Sequence, residues 1–305
     1  MKTLRHIFII TLLAFSTQLM AQRIDGNGTR ETRAFDFKGI EVINFNVTVE
    51  AEIDLSMESE LFVRVDENLF DHMIIKQRGN ELKIDQDGWI EPSSPIEVVL
   101  GLNGLKKIKN SAWGHITIKN MDQPEFRAMM EVGTLVIDGK VESFEVSTGS
   151  GKIDASRLNA QNVDANIRGN GQMLLNAQSS LQYGGDEDGK IVYLGSPDIK
   201  AKKANSVVLR TLEEDQALAS EELNIAYVEV KLKNNSGKKR QLRFSGPVAK
   251  PFGYGFPLSA RGTRTENVPV GTKVYQVNPL GKDKLLVTIT KENAGQALEL
   301  YSKDR

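Results

Sequence analysis

The stretch that decides the fold runs GHITIKNMDQPEFRAMMEV (Gly114–Val132), GTLVIDGKVESFEVSTGS (Gly133–Ser150), GKIDASRLNAQNVDANIRGN (Gly151–Asn170) and GQMLLNAQSSLQYGGDED (Gly171–Asp188), and then restarts at Gly189. The opening glycines are 19, 18, 20 and 18 residues apart. Two positions after each stands an apolar residue: Ile116, Leu135, Ile153, Met173 and Ile191. A second series, Ile108, Phe126, Phe144, Val163, Leu181 and Ile199, recurs at 18, 18, 19, 18 and 18 residues and keeps step with the first. Two coupled apolar ladders with a common period are the mark of a repeat architecture. Within each repeat the apolar residues alternate with polar ones, as in Thr134-Leu135-Val136-Ile137 or Phe144-Glu145-Val146, and no stretch sustains a helical period. The expectation is an all-β chain whose core is a right-handed parallel β-helix, a solenoid of about 18–20 residues per coil with stacked neighbours at ~4.8 Å. The glycines then mark a corner too crowded for a side chain.

Working outward from this ladder, residues 22–103 are strand-rich but less regular, with runs at Ile40–Val49, Leu61–Val65, Leu82–Ile84 and Ile96–Leu100 and a helical turn at Glu67–Met73. Atypical terminal coils belong to the same domain, because they must cap an exposed core. At the front, Met1–Ala21 has Lys2 and Arg5 ahead of an apolar run from Ile7 to Phe15, the pattern of a cleaved secretory signal. The expected domains are a signal peptide over residues 1–21, a β-solenoid over 22–211, an acidic linker or short helix over 212–222 (LEEDQALASEE), and a small antiparallel β-sandwich over 223–305. In the last, strands are expected at Leu223–Leu232, Gln241–Phe244, Val274–Val277, Leu285–Ile289 and Ala297–Leu300, with Pro251–Pro257 as a loop.

The 305-residue chain has 39 Lys and Arg against 40 Asp and Glu, and no cysteine. That excludes disulfides, thiol catalysis and a cysteine-linked lipid anchor, and gives no support to nucleic-acid binding. The near-neutral total hides a segregation. Residues 22–222 carry 22 basic and 34 acidic side chains, a net −12, whereas residues 223–305 carry 15 and 6, a net +9. A basic module can hold an anionic polymer, or leave its charge in solvent.

Arg23–Gly28, Phe35–Val42, the Leu82–Ile84 strand and the glycine-apolar ladder together resemble the GIN-domain family of autotransporter-adhesin head domains, over roughly Arg23–Leu212. The resemblance implies an exported β-solenoid protein of a kind frequent in the Bacteroidota, with no catalytic residues to carry over. It implies adhesion to envelope or extracellular glycans or to surface proteins, in the periplasm, at the outer surface or secreted. The alternatives are a carbohydrate-active β-helix enzyme, a lyase or glycosidase, and a passive structural component of the envelope.

Aligning the repeats on the second series places Lys109, Arg127, Glu145, Asp164, Gln182 and Lys200 in one outward column. Glu145 and Asp164 would then stand about 5 Å apart, the separation of a retaining glycosidase pair. They equally suit a charge-compensated ladder on an exposed sheet. Asp186, Glu187 and Asp188 offer three carboxylates beside a turn, a calcium candidate that would need further oxygens and that lacks the repeated Asp-Gly pattern of calcium-binding solenoids, or equally a solvated acidic turn. Trp113 and His115 flank the first ladder glycine, and Phe252, Tyr254 and Phe256 are interleaved with glycines. Exposed rings of this kind can stack on sugars, or serve as packing. Histidine spacing offers no zinc motif and no Gly-x-Ser-x-Gly elbow exists, so neither a metal nor a cofactor is called for.

Overall fold

The structure, a computed structural model, describes residues 23–185, 188–204, 206–278 and 282–301. The leader expected at Met1–Ala21 and the carboxylates of Asp186 and Glu187 lie outside the described residues. The fold is all-β, with one α-helix, Leu212–Asn224, among the described residues. The chain divides into two compact units between Thr211 and Leu212.

In the first unit four long strands, Gly114–Met130, Thr134–Thr148, Lys152–Ile167 and Gln172–Gly185, pair in sequence and all in parallel. His115 lies opposite Thr134, Thr134 opposite Lys152, and Lys152 opposite Gln172. The ladder glycines, one residue earlier, therefore stack. Each long strand changes register midway, between Ile118 and Met121 in the first and between Val136 and Asp138 in the second. The break splits every repeat into a front segment and a back segment. Ile116, Ile118, Leu135, Ile137 and Ile153 from the front share one core cluster with Phe126, Ala128, Met130, Phe144 and Val163 from the back. Alternation makes this possible, since every second side chain of both segments points at the other. The rings of Phe126 and Phe144 stack at 6.1 Å with planes 13° apart, as equivalent positions of successive repeats should.

The glycine corner has a steric cause. A Cβ on Gly171 would lie 2.4 Å from Thr148 Cγ2 and 2.8 Å from the Gly149 carbonyl oxygen, so successive corners touch backbone to backbone.

Both ladders continue into the irregular N-terminal region. Val49–Asp54 and Ile96–Gly101 extend the front in parallel, and Glu60–Asp66 and Arg30–Phe35 then add antiparallel. Lys107–Asn110, Val42–Phe45 and Glu81–Gln86 extend the back in parallel, and Met73–Arg78 closes it antiparallel. The outermost strands carry Arg30, Glu31 and Arg33 on one ladder and Lys76 and Arg78 on the other, charges that discourage edge-to-edge pairing. The turn expected near Glu67 is a 3-10 helix, Glu67–His72. Downstream, Lys190–Leu194 and Val208–Thr211 extend the front and Asp198–Ala204 the back.

One ladder assignment is corrected. Ile108 lies opposite Ala128, not Phe126, so Lys107 and not Lys109 faces Arg127. A slip of two residues keeps every inward side chain inward, and hydrophobic alternation cannot detect it.

The second unit contains two sheets. One orders Thr263–Pro269, Tyr227–Lys233 and Ala297–Glu299; the other orders Gly253–Leu258, Arg240–Ser245, Lys273–Gln276 and Lys284–Thr288. Val228, Val230 and Leu232 from the first share a core with Leu242, Phe244, Phe256 and Val274 from the second. An all-antiparallel arrangement was expected, but Lys231–Lys233 runs parallel to Ala297–Glu299. The helix covers Leu223 and Asn224, so the following strand begins only at Tyr227.

The expected loop at Pro251–Pro257 is instead largely the strand Gly253–Leu258, on the edge of its sheet. The Gly246 amide donates to the Phe252 carbonyl, which sets the pairing phase so that the Pro257 nitrogen falls on the unpaired side. A proline is tolerated in a strand at such a position.

Candidate binding surfaces

The outward residues of the stack form columns one strand apart. On the back face the column runs Glu81, Val42, Lys107, Arg127, Glu145, Asp164, Gln182 and Lys200. Glu145 and Asp164 are indeed neighbours on adjacent strands. Glu145, with its side chain 51% exposed, is engaged by Arg127, and Asp164, at 43%, by Lys202. Glu145 lines a shallow concavity of 270 Å³ together with Arg127 and Ser143, and Asp164 does not reach it. A glycosidase acid needs an environment that holds its proton, through burial or uncompensated negative charge. Both carboxylates are instead about half exposed and paired with a cation. Lys202, which sequence alignment of the repeats did not place here, comes from the strand two repeats on.

On the front face His115 is exposed, between Glu50 on one neighbouring strand and Thr134 on the other. It lines a 440 Å³ concavity with Glu50, Glu52, Glu97 and Thr117. Trp113, two residues earlier at the glycine corner, is 65% exposed. The acids beside them are partly committed: Glu52 pairs with Lys119 at 2.7 Å, and Glu97 with Arg30 at 3.2 Å. Asp188 is exposed next to the Gly189 corner. Among the described residues no group of three or more His, Cys, Asp or Glu is arranged to hold a metal ion.

The aromatic trio of the second unit is divided by its strand. Phe256 is buried in the core at 3% exposure, and Phe252 packs against that core. Tyr254 keeps its ring edge-on to Phe244 at 5.2 Å and donates its hydroxyl to Glu266 Oε2 at 3.1 Å. Burial, with the hydrogen bond to Glu266, raises the Tyr254 hydroxyl above the ordinary tyrosine range. Two of the three rings are thus packing, and only Tyr254 presents a free edge.

Sequence reasoning passed over the exposed Trp89, on a strand paired with Arg23–Asp25, and the exposed pair Phe62 and Val99 on adjacent front-face strands. Their alternation was legible. Their adjacency was not, because Glu60–Asp66 and Ile96–Gly101 meet antiparallel from distant parts of the chain.

Among the described residues no helix is long and apolar enough to cross a membrane. No curated protein matches the chain. Among solved structures, a "putative adhesin" from Bacteroides fragilis NCTC 9343 is 18% identical, with 62% of this chain and 100% of that chain covered and a TM-score of 0.51. A "putative lipid binding protein" from Parabacteroides distasonis ATCC 8503 is 21% identical, covering 63% of this chain and 100% of that one, with a TM-score of 0.41. At such identities the likeness is one of fold. A family model described as "Putative auto-transporter adhesin, head GIN domain" matches residues 36–197, more than half of the chain and most of the parallel stack. The chain belongs to this GIN-domain family.

Proposed function

We propose that the protein is an exported, non-enzymatic binding protein of the adhesive type, which presents the outer faces of its stack to glycans or surface proteins. In this reading the stack winds as a right-handed β-solenoid, and the C-terminal unit closes as a small β-sandwich. The observation that carries it is the coincidence of the GIN-family match at residues 36–197 with a stack whose outward columns stay open, Trp113 standing 65% exposed at a corner. A rigid scaffold with exposed polar columns and an aromatic platform is suited to contact over a surface, not to chemistry in a cleft. The paired state of Glu145 and Asp164 supports the absence of a glycosidase pair. The leader-like Met1–Ala21 supports export.

The test applies the full exported chain to a glycan array and to intact bacterial cells. Binding to at least one surface or glycan is expected, weakened by Trp113→Ala. Failure to bind any glycan and any cell surface would sink the adhesive reading. Release of reducing sugar from a polysaccharide, abolished by the double change Glu145→Gln and Asp164→Asn, would replace it with the enzymatic one.

A further inference from the structure

The N-terminal end of the back face carries a concentration of positive charge that the composition of its unit does not lead one to expect. Three outward columns can be followed there from the strand pairings. Lys76, Lys83, Asn44 and Lys109 form one, and Arg78, Glu81, Val42, Lys107 and Arg127 form the next. Beside them run Ile74 and Asp85. Six cations thus share one sheet face with three acids, Glu81, Asp85 and the Glu145 that follows Arg127, within a region whose net charge is −12.

Like charges are placed together with only partial compensation. Lys76 stands directly opposite Lys83 on the same face, an arrangement that is destabilising in a cross-strand pair. Lys83 is held by Asp85 at 2.6 Å and Lys109 by Glu81 at 3.3 Å, while Arg127 engages Glu145. No ion pair is made by Lys76, Arg78 or Lys107 among the described residues. Desolvation, together with the neighbouring Lys109 and Arg127, lowers the Lys107 ammonium below the ordinary lysine range against the opposing pull of Glu145 and Glu81. The three unpaired cations line two shallow concavities. One, of 370 Å³, contains Lys76, Arg78, Lys83, Glu81 and Asn44; the other, of 270 Å³, contains Lys107 with Ser143, the pairs Lys106–Glu41 and Arg127–Glu145, and Glu125, so that its cations and acids are equal in number. Arg78 and Lys107 are three strands apart in their column, roughly 14 Å at the usual strand spacing.

We propose that this face binds a short acidic oligosaccharide, its carboxylates or sulfates placed against Lys76, Arg78 and Lys107 and its hydroxyls against Glu81, Asn44 and Ser143. The proposal deepens the adhesive reading and rests on it. Interspersed acceptors distinguish the ligand. Glu81 and Asn44 repel or waste a bare anion, but accept hydrogen bonds from the hydroxyls of a sugar that carries its charge elsewhere. The face offers no aromatic ring in its columns on which a base could stack, and its two apolar members, Ile74 and Val42, are half-buried, leaving nothing to insert into a bilayer. The surrounding acidic surface further opposes a long polyanion, so that only a few charges can be accommodated.

The experiment is calorimetric titration of the full chain with oligogalacturonate. Maltohexaose serves as the neutral counterpart, and phosphatidylglycerol vesicles and a single-stranded oligonucleotide as the competing anionic classes. Oligogalacturonate is expected to bind and maltohexaose is not. The triple variant Lys76→Gln, Arg78→Gln and Lys107→Gln, with tryptophan fluorescence as the check on its folding, should weaken binding by about tenfold. Lys76→Arg with Lys107→Arg should retain it, and raising salt from about 0.05 M to about 0.5 M should weaken it. Unchanged affinity in the folded triple variant overturns the assignment. So does equal or tighter binding of vesicles or oligonucleotide with the same residue dependence. A chain that binds cells or neutral glycans but ignores oligogalacturonate keeps the adhesive function and refutes this site.

Discussion

Replacing Asp66 with alanine should loosen the N-terminal end of the stack by about 3–5 kcal/mol. The side chain is fully buried, and its carboxylate ties three separate segments together. Oδ1 accepts the Gly28 amide at 2.9 Å and the Ser93 hydroxyl, and Oδ2 accepts the Ser93 amide at 2.9 Å. Alanine removes the hydrogen bonds that the part-buried Gly28 and Ser93 amides make to a charged acceptor, each worth about 1.5–3 kcal/mol, while the hydroxyl can turn elsewhere. Asparagine keeps one accepting oxygen and sets its amide against a donor, so about 1–2 kcal/mol is expected. Burial pushes the Asp66 carboxyl up, but the hydrogen bonds from Ser93 and Gly28 and the charge of Arg30 outweigh it, and the net shift is downward from 3.8. A depressed folded value means that the contribution is complete above the unfolded value and is lost as pH falls through the folded one. The gap between wild type and Asp66→Ala should therefore be constant near neutrality and narrow progressively below about pH 4. Urea unfolding followed by tryptophan fluorescence reads the relevant unit alone, since both tryptophans, Trp89 and Trp113, lie before Leu212. A gap under about 1 kcal/mol at pH 7, or one equally wide at pH 2.5 by the same assay, would refute the reasoning.

Phe144→Ala removes a ring that is 1% exposed and stacked on Phe126, and should cost about 3–5 kcal/mol in the same urea assay. Gly171→Ala places a methyl 2.4 Å from Thr148 Cγ2, and should lower the unfolding midpoint markedly, whereas Gly28→Ala meets nothing within 4 Å and suffers only from its φ of +81°. Trp113→Ala should change stability by no more than about 0.5 kcal/mol while reducing capture on glycan or cell surfaces, because the ring is mostly in solvent.

How far the site could be read from the chain depends on which pairing produced it. Glu145 beside Asp164 follows from repeats of equal phase, and the pairing of these strands places them as the repeat alignment does. Lys107 beside Arg127 does not follow, because a two-residue slip satisfies the same alternation. Lys76 opposite Lys83 depends on a hairpin, and the charge of the whole region points the other way. Gly253–Leu258 reads as a loop from its glycines and proline, although its aromatics alternate like those of a strand. Only a free edge reconciles the two.

By itself the sequence determined the period, the strand character, the inward ladders and the glycine corners, since each repeats a local pattern that only one backbone periodicity can satisfy. Tertiary structure decided the register between irregular repeats, the antiparallel strands that close the N-terminal end and the partners of the charged residues. These depend on contacts between residues far apart in the chain, and a period-two pattern constrains which face a side chain takes but not which neighbour it meets there.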